Sequence, residues 1–413
     1  MVEATKERGV WAESYVQDFL SLPFVSEFVF RSLQTLDKGT QKEVADFLIA
    51  HPGVGILMSQ KTQKDPFART AEKTQSWALK GSARGALQLC GALRTARGKE
   101  IWCEHPRRGR VDLAGGLPHI NHGIVLVEVF QRVDLGLRAA DLPLRYADTP
   151  ITYLSLNDFL NIAMELRTAP EVLAYLEARC FLPESDLRVI GDERALFEFY
   201  LLQGGTFAGC VGKADAAVAV AAGSREVQRA WRSKREHDRF GGVIEHVADQ
   251  LATRREDYAL GLSPEALALY DAPDKRSNYL KMQAVLANLG LRERSALGRA
   301  FLGTREKLGD SSEGFTYSAL HFDAKAESVF VFGSSVGVPP EELNKRTQIL
   351  MLAAMAFFRK TSCLIMIDRE GAGYEVGLAT RPSPPSSPTE MAIGDKYFGN
   401  LRMTDEAVAL VPA

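Results

Sequence analysis

The amino-acid sequence predicts a mixed α/β (α+β) protein, with an N-terminal mixed sheet flanked by helices, a helical middle section and a small C-terminal α/β sandwich. Three observations carry that expectation. Two short apolar runs, Phe47 to Ile49 and Val54 to Met58, bracket a Pro52-Gly53 break, which is the pattern of a β-hairpin. From Thr70 to Ala96 apolar residues recur at helical spacing, giving the clearest long helix of the first half. Near the C-terminus, strand-like runs Phe315 to Phe322 and Ser328 to Gly333 precede a helix that follows Pro340, and two more, Cys363 to Asp368 and Tyr374 to Ala379, come after it.

A chain of 413 residues exceeds what one core organises, so three regions are expected, 1–183, 184–305 and 306–413. The formal net charge of −2 means that a nucleic-acid partner would have to be met by a local basic patch, because bulk charge does not announce one. No apolar run is long enough to span a bilayer and the opening residues lack the apolar core of a secretory signal, so a cytoplasmic protein without a membrane partner is expected. Five cysteines, odd in number and with no C-x-x-C pair, argue against a disulfide framework and a zinc ribbon. Cys103, His105, His119 and His122 are the nearest thing to a ligand cluster, and their irregular spacing reads as loop residues. There is no G-x-x-x-x-G-K-[ST] phosphate loop and no G-x-S-x-G elbow, which removes sequence support for an ATP-driven motor or a serine hydrolase.

In chain order, residues 10–37 look helical: Trp11, Tyr15, Phe19 and Leu20 make one stripe, and Phe24, Phe28, Val29 and Leu33 another. They lead into a helix end carrying Glu43, and the hairpin follows. In the Thr70–Ala96 helix, Trp77, Leu87 and Ala92 are expected to face the sheet, with Lys73 and Lys80 outward. Strands are expected at Glu100 to Cys103, Gly123 to Phe130 and Ile151 to Leu154, the first two separated by a polar loop containing Arg107, Arg108 and Arg110. Two helices start near Asn157 and at Thr168-Ala169-Pro170. Ser224 to Leu251 reads as a solvated helix with internal ion pairs, and Pro264 to Tyr270 and Lys275 to Phe301 as further helices. Arg381 to Thr389, rich in Pro and Ser, reads as an exposed loop.

The hairpin carries the chemistry. Side chains alternate across a strand, so Ser59 and Lys61 share a face, and Asp46 on the neighbouring strand can approach it. Glu43, one helical turn earlier, would reach the same space. Two carboxylates and a lysine suit phosphodiester hydrolysis: carboxylates hold a hard cation such as Mg²⁺ or Mn²⁺, and an ammonium steadies the charge that develops on the phosphoryl oxygens. A surface Asp and Lys at the ends of a hairpin also read as ordinary solvated ends.

The order acid, Asp46, hairpin, Ser59-Gln60-Lys61, with the following helix KTQSWALKGSARGALQLCGALR, resembles the PD-(D/E)xK, or restriction-endonuclease-like, nuclease superfamily. The likeness is to a little-characterised bacterial group that shows K-E-x-x-D, S-x-K, W and Q-x-x-G-A. It implies a restriction-endonuclease-like N-terminal domain and a Mg²⁺- or Mn²⁺-dependent nuclease. Asp46 would be the motif aspartate, Lys61 the motif lysine, Glu43 the auxiliary acid and second metal ligand, and Gln88 the polar residue of the second helix. Ser59 stands where most of the superfamily has Asp or Glu, so one acidic ligand is absent or is replaced by Glu43. The basic series of Lys73, Lys80 and Arg84 reads first as a solvated helix face and second, with Arg107 and Arg108, as contacts to nucleic acid, DNA rather than RNA; defence against foreign DNA would fit the resemblance. A second reading is a nuclease-like fold that has lost its chemistry and serves as a nucleic-acid-binding or assembly module. The C-terminal region, without paired acids, is left for structure, sensing, or binding a protein partner or a second copy of the chain.

Overall fold

The computed structural model describes residues 16, 26–51, 53–63, 70–105, 109–113, 120–129, 142–183, 187, 193–207, 225–261, 273–309, 313–322, 328–369 and 373–399. The expected helices at 264–270 and over most of 10–25, together with Arg107, Arg108 and His119, lie outside these residues.

β1 (Val29–Asp37), β2 (Thr40–His51) and β3 (Val54–Lys61) form an antiparallel meander. Its first turn is Lys38-Gly39, with φ of 51° and 80°. Two successive residues at positive φ make the tight two-residue turn whose twist matches that of the strands it joins. The second turn contains Gly53, between His51 and Val54, which is where the sequence predicts a break. The helix expected up to Leu33 and on to Glu43 is therefore two strands. The meander is irregular here. Leu33 pairs with Ala45 while Gln34 pairs with Glu43, so one residue of β2 is extra. In β1, Ser32 has a φ of 49°, and Phe30 and Leu33 on either side of it, three apart, enter the same core, so a kinked strand imitates a helical spacing.

The meander grows at both ends. β4 (Trp102–His105) and β5 (Gly109–Asp112) extend it beyond β1, and β6 (His122–Val127), β8 (Thr149–Ser155) and the short β7 (Arg145–Tyr146) extend it beyond β3. The result is an eight-stranded mixed sheet in the order β5-β4-β1-β2-β3-β6-β8-β7, with β3, β6 and β8 parallel. β5 occupies what the sequence presents as a polar loop, because its four residues pair along β4 and are mostly exposed. Cys103, His105 and His122 accordingly stand on strands rather than in loops.

α1 (Ala71–Gly98), capped by the Thr70 side chain, covers one face of this sheet. Phe30, Leu33, Leu48, Leu57, Val125 and Val127 meet Ala78, Ala86, Leu89 and Ala92 there. The other face is covered by α2 (Leu156–Leu166), α3 (Ala169–Cys180) and α4 (Glu193–Leu202), around Phe47, Ile56, Met58, Ile124 and Leu126. Ser155 and Thr168 cap α2 and α3, the latter as the sequence predicts.

The chain separates into two compact units, 1–233 and 234–413. α4 and Val227 pack into the first unit's core. In the second unit, within 234–413, lie the rest of α5 (Arg225–Gly261), α6 (Pro273–Ala287) and α7 (Leu291–Leu308). α6 and α7 are two helices where the sequence reads one, broken at Asn288 to Gly290. β9 (Gly314–His321), β10 (Ser328–Val336), β11 (Ser362–Arg369) and β12 (Gly373–Thr380) form a four-stranded sheet in the order β12-β11-β10-β9, with α8 (Pro340–Phe358) crossing between the parallel pair β10 and β11. The β-β-α-β-β order is the expected one. An additional helix, α9 (Pro388–Phe398), emerges from the Pro/Ser-rich stretch through a capping box in which Ser387 and Glu390 bond reciprocally. No helix among the described residues is long and apolar enough to cross a membrane.

Candidate functional site

The pairing of Phe47 with Met58 sets Asp46 beside the last residues of β3, where polar side chains replace the apolar run. Asp46 Oδ2 accepts a hydrogen bond from the Gln60 backbone N–H at 2.5 Å, and the Lys61 Nζ lies 4.0 Å from the same oxygen. Oδ1 carries no hydrogen bond among the described residues. Lys61 is held from three sides. Its ammonium donates to Ser59 Oγ at 3.0 Å, to the Gln60 carbonyl at 2.9 Å and to Gln88 Oε1 at 2.6 Å. The two charged side chains keep 20% (Lys61) and 12% (Asp46) exposure, on two central strands of the sheet.

α1 delivers Gln88 to this point because two glycines let it lie close to the strands. A Cβ on Gly81 would stand 3.7 Å from Lys61 Cβ, and one on Gly85 would stand 2.5 Å from Val125 Cγ1. The second contact is far inside van der Waals distance, so the helix could not sit at this height with a larger residue there. Ser59 is 1% exposed beneath it, and a longer acid in its place has no open space.

Asp46, Ser59, Lys61 and Gln88 thus come together. Glu43 stands apart from the helical geometry that placed it with them. It is exposed on β2, opposite Gln34, and three residues along a strand advance about 10 Å, against about 4.5 Å in a helix. Among the described residues, no group of three or more His, Cys, Asp or Glu is placed to hold a metal. Asp46 Oδ1 is a single carboxylate oxygen, and a hydrated Mg²⁺ takes one or two protein carboxylates.

The strand end holds other polar groups that no motif in the sequence singles out. Glu128, 4% exposed just after β6, has its N–H on the Lys61 carbonyl at 2.8 Å, and its carboxylate accepts from the Gln63 N–H at 3.2 Å. The only signal was a lone acid closing the apolar run GIVLVEVF. On α1, Trp77 packs half-buried against the sheet core and Ala92 is buried, as expected, while Leu87 is 75% exposed, contrary to expectation. Leu87 is on the outward side with Lys73, Lys80, Arg84 and Arg94, all exposed. Arg94 donates to the Tyr146 hydroxyl at 3.4 Å and Arg97 lies over the same ring, and Arg110 is taken up by Trp102 and Asp112. Neither a protein-family profile nor a curated protein nor a solved structure matches this chain.

Proposed function

We propose that the first unit is a metal-dependent phosphodiesterase acting on nucleic acid, with the PD-(D/E)xK superfamily as its parent, and that Asp46 and Lys61 carry the chemistry. The observation behind this reading is the approach of Lys61 Nζ to 4.0 Å from Asp46 across adjacent strands, with the ammonium fixed by Ser59 and Gln88. The helix that packs beside the hairpin also supports it, since the resemblance implies such a helix. A Mg²⁺ or Mn²⁺ ion on Asp46 Oδ1 would polarise the phosphoryl group and lower the pKa of a bound water. The chain's own residues do the rest. The Gln60 N–H fixes the Asp46 carboxylate through Oδ2 and leaves Oδ1 for the metal, and Lys61 would present a positive charge where negative charge develops on phosphate. Gln88 and Ser59 hold that ammonium in place before substrate arrives, so little reorganisation accompanies the reaction.

With Ser59 in the position of an acid, one carboxylate serves where relatives of the motif have two. That is what favours the rival reading, a binding module without turnover. The test is incubation of the full chain with single- and double-stranded DNA and RNA, with Mg²⁺, Mn²⁺ or chelator. Chelator-sensitive cleavage should disappear in Asp46→Asn and fall by about two to three decades in Lys61→Ala. Cleavage that is equal in all three proteins would assign the activity elsewhere. Binding without cleavage under any metal would establish the module.

A further inference from the structure

The outward side of α1 carries cations, three of which no described residue engages. The helix holds Lys73, Lys80, Arg84, Arg94 and Arg97 against a single acid, Glu72. Arg94 and Arg97 are engaged by Tyr146. The side chains of Lys73, Lys80 and Arg84 are exposed and make no ion pair or hydrogen bond among the described residues. Uncompensated like charges crowded on one helix face cost stability, so a set of this kind points to an anionic partner.

Their placement points further. Residues four apart lie one above the other on a helix, and Lys80, Arg84 and Gln88 are such a row. The row drifts around the axis as it climbs, because four residues exceed one turn of 3.6. It passes from the exposed side, at Lys80 and Arg84, to the half-buried Gln88 whose Oε1 holds Lys61 Nζ at 2.6 Å. Each step rises about 6 Å, comparable with the advance of one to two nucleotides along a strand at 3.4 Å each. Leu87 stands between these cations at 75% exposure, an apolar group of the kind that meets sugar or base edges beside phosphate contacts.

We infer that the Lys80–Arg84–Gln88 row is the track along which the phosphodiester backbone of a nucleic acid is led to Asp46 and Lys61, with Lys80 and Arg84 holding the phosphates next to the reacting one. This rests on the phosphodiesterase reading for the end of the track, although binding itself does not require turnover. Two phosphate contacts are assigned, and each contributes about −0.9 to the slope of log K against log salt on duplex DNA.

The test measures binding of the full chain to a fluorescent 20-base-pair DNA duplex, and to one of its strands alone, by anisotropy. It is done in chelator, between 50 and 200 mM KCl. Lys80→Gln/Arg84→Gln should weaken binding at least tenfold at 50 mM and flatten the salt slope by about 2. Lys345→Gln/Lys396→Gln, which removes the same charge from the second unit, should bind as the native chain does, and Asp46→Asn should bind no more weakly. Whichever probe binds tighter identifies the form of backbone that follows the row. Native-like binding by Lys80→Gln/Arg84→Gln, an equal loss in the control pair, or no binding of either probe by the native chain each overturns the track. Asp46-dependent cleavage that survives an unaffected Lys80→Gln/Arg84→Gln would leave the phosphodiesterase reading standing without it. Track-dependent binding with no cleavage under any metal would do the reverse.

Discussion

His122 shows how much one buried side chain can set. It is fully buried at the start of β6, where Nε2 meets Thr152 Oγ1 at 2.8 Å and Nδ1 has no hydrogen-bond partner among the described residues. Burial first, and then the Arg179 and Arg145 charges, push its pKa from 6.5 down to about 3. The folded state therefore holds a neutral imidazole, while the unfolded chain takes up a proton below about pH 6.5. Stability that is complete above that pH is lost as pH falls towards 3, at up to about 1.4 kcal/mol per unit from this group. Chemical denaturation at pH 7.5, 6 and 5 should show the native chain losing about 2 kcal/mol more than His122→Gln between pH 6.5 and 5. Parallel pH profiles for the two proteins would show that His122 is not held neutral. The same residue illustrates a limit of reading residues in isolation. In sequence His122 is one of four scattered ligand-type side chains, and only the sheet reveals that its partner is Thr152, two strands' worth of chain away.

At the scale of elements, the height of α1 over the sheet decides whether Gln88 can reach Lys61. Gly85→Ala places a methyl 2.5 Å from Val125 Cγ1, and Gly91→Ala places one where nothing lies within 4 Å. The first should destabilise by about 1 to 3 kcal/mol through overpacking. The second should stabilise by about 0.5 to 1 kcal/mol, because it removes a flexible residue from a helix interior. Urea melts of the two variants check this, and a shared sign would mean that α1 is not seated through Gly85. The hairpin, α1, the C-terminal strands and the start of α3 were legible because each has a local cause: a Pro-Gly break, a long apolar period, a Thr cap. β1 and the Glu43 end of β2 were not, because Ser32 at positive φ brings Phe30 and Leu33 into one core at a helical spacing, and the extra residue of β2 opposite Leu33 and Gln34 breaks its alternation. Leu87 was misplaced for a related reason. Its neighbours Gly81 and Gly85 show no apolar signal, yet they form the buried side, so the apolar stripe pointed the helix the wrong way. For the site, Asp46, Ser59 and Lys61 could be grouped from the sequence because alternation in a hairpin is a rigid rule, whereas Gln88 was placed with them only by the family resemblance. Glu43 depended on the helix that is not there, and Glu128 depended on a parallel neighbour that no local pattern specifies.

The whole molecule is built on separate cores. The first unit has one on each face of its sheet. The second has its own, where Val329, Val331, Ile365 and Ile367 of β10 and β11 meet Leu343, Leu350, Ala353 and Ala354 of α8, and Phe398 of α9. Hydrophobic stabilisation is proportional to area removed from water within each cluster, so a defect in one is felt first by the backbone whose side chains line it. A chain of this kind does not have a single free energy of unfolding, and a single melting temperature would average two events. Leu350 is 2% exposed in the second core, and Leu350→Ala should cost about 2 to 5 kcal/mol there. Amide hydrogen exchange followed by peptide mass spectrometry resolves where the cost falls. Peptides from β10, β11 and α8 should exchange faster by the factor that this loss implies, about 30-fold or more. Those from β2, β3 and α1 should keep native rates, and the Asp46–Lys61 site with them. Uniform acceleration across both sets would mean that the two units unfold as one cooperative body. Assignment of the chemistry to the first unit would then need variants throughout the chain, because any core substitution in the second would disturb the site as well.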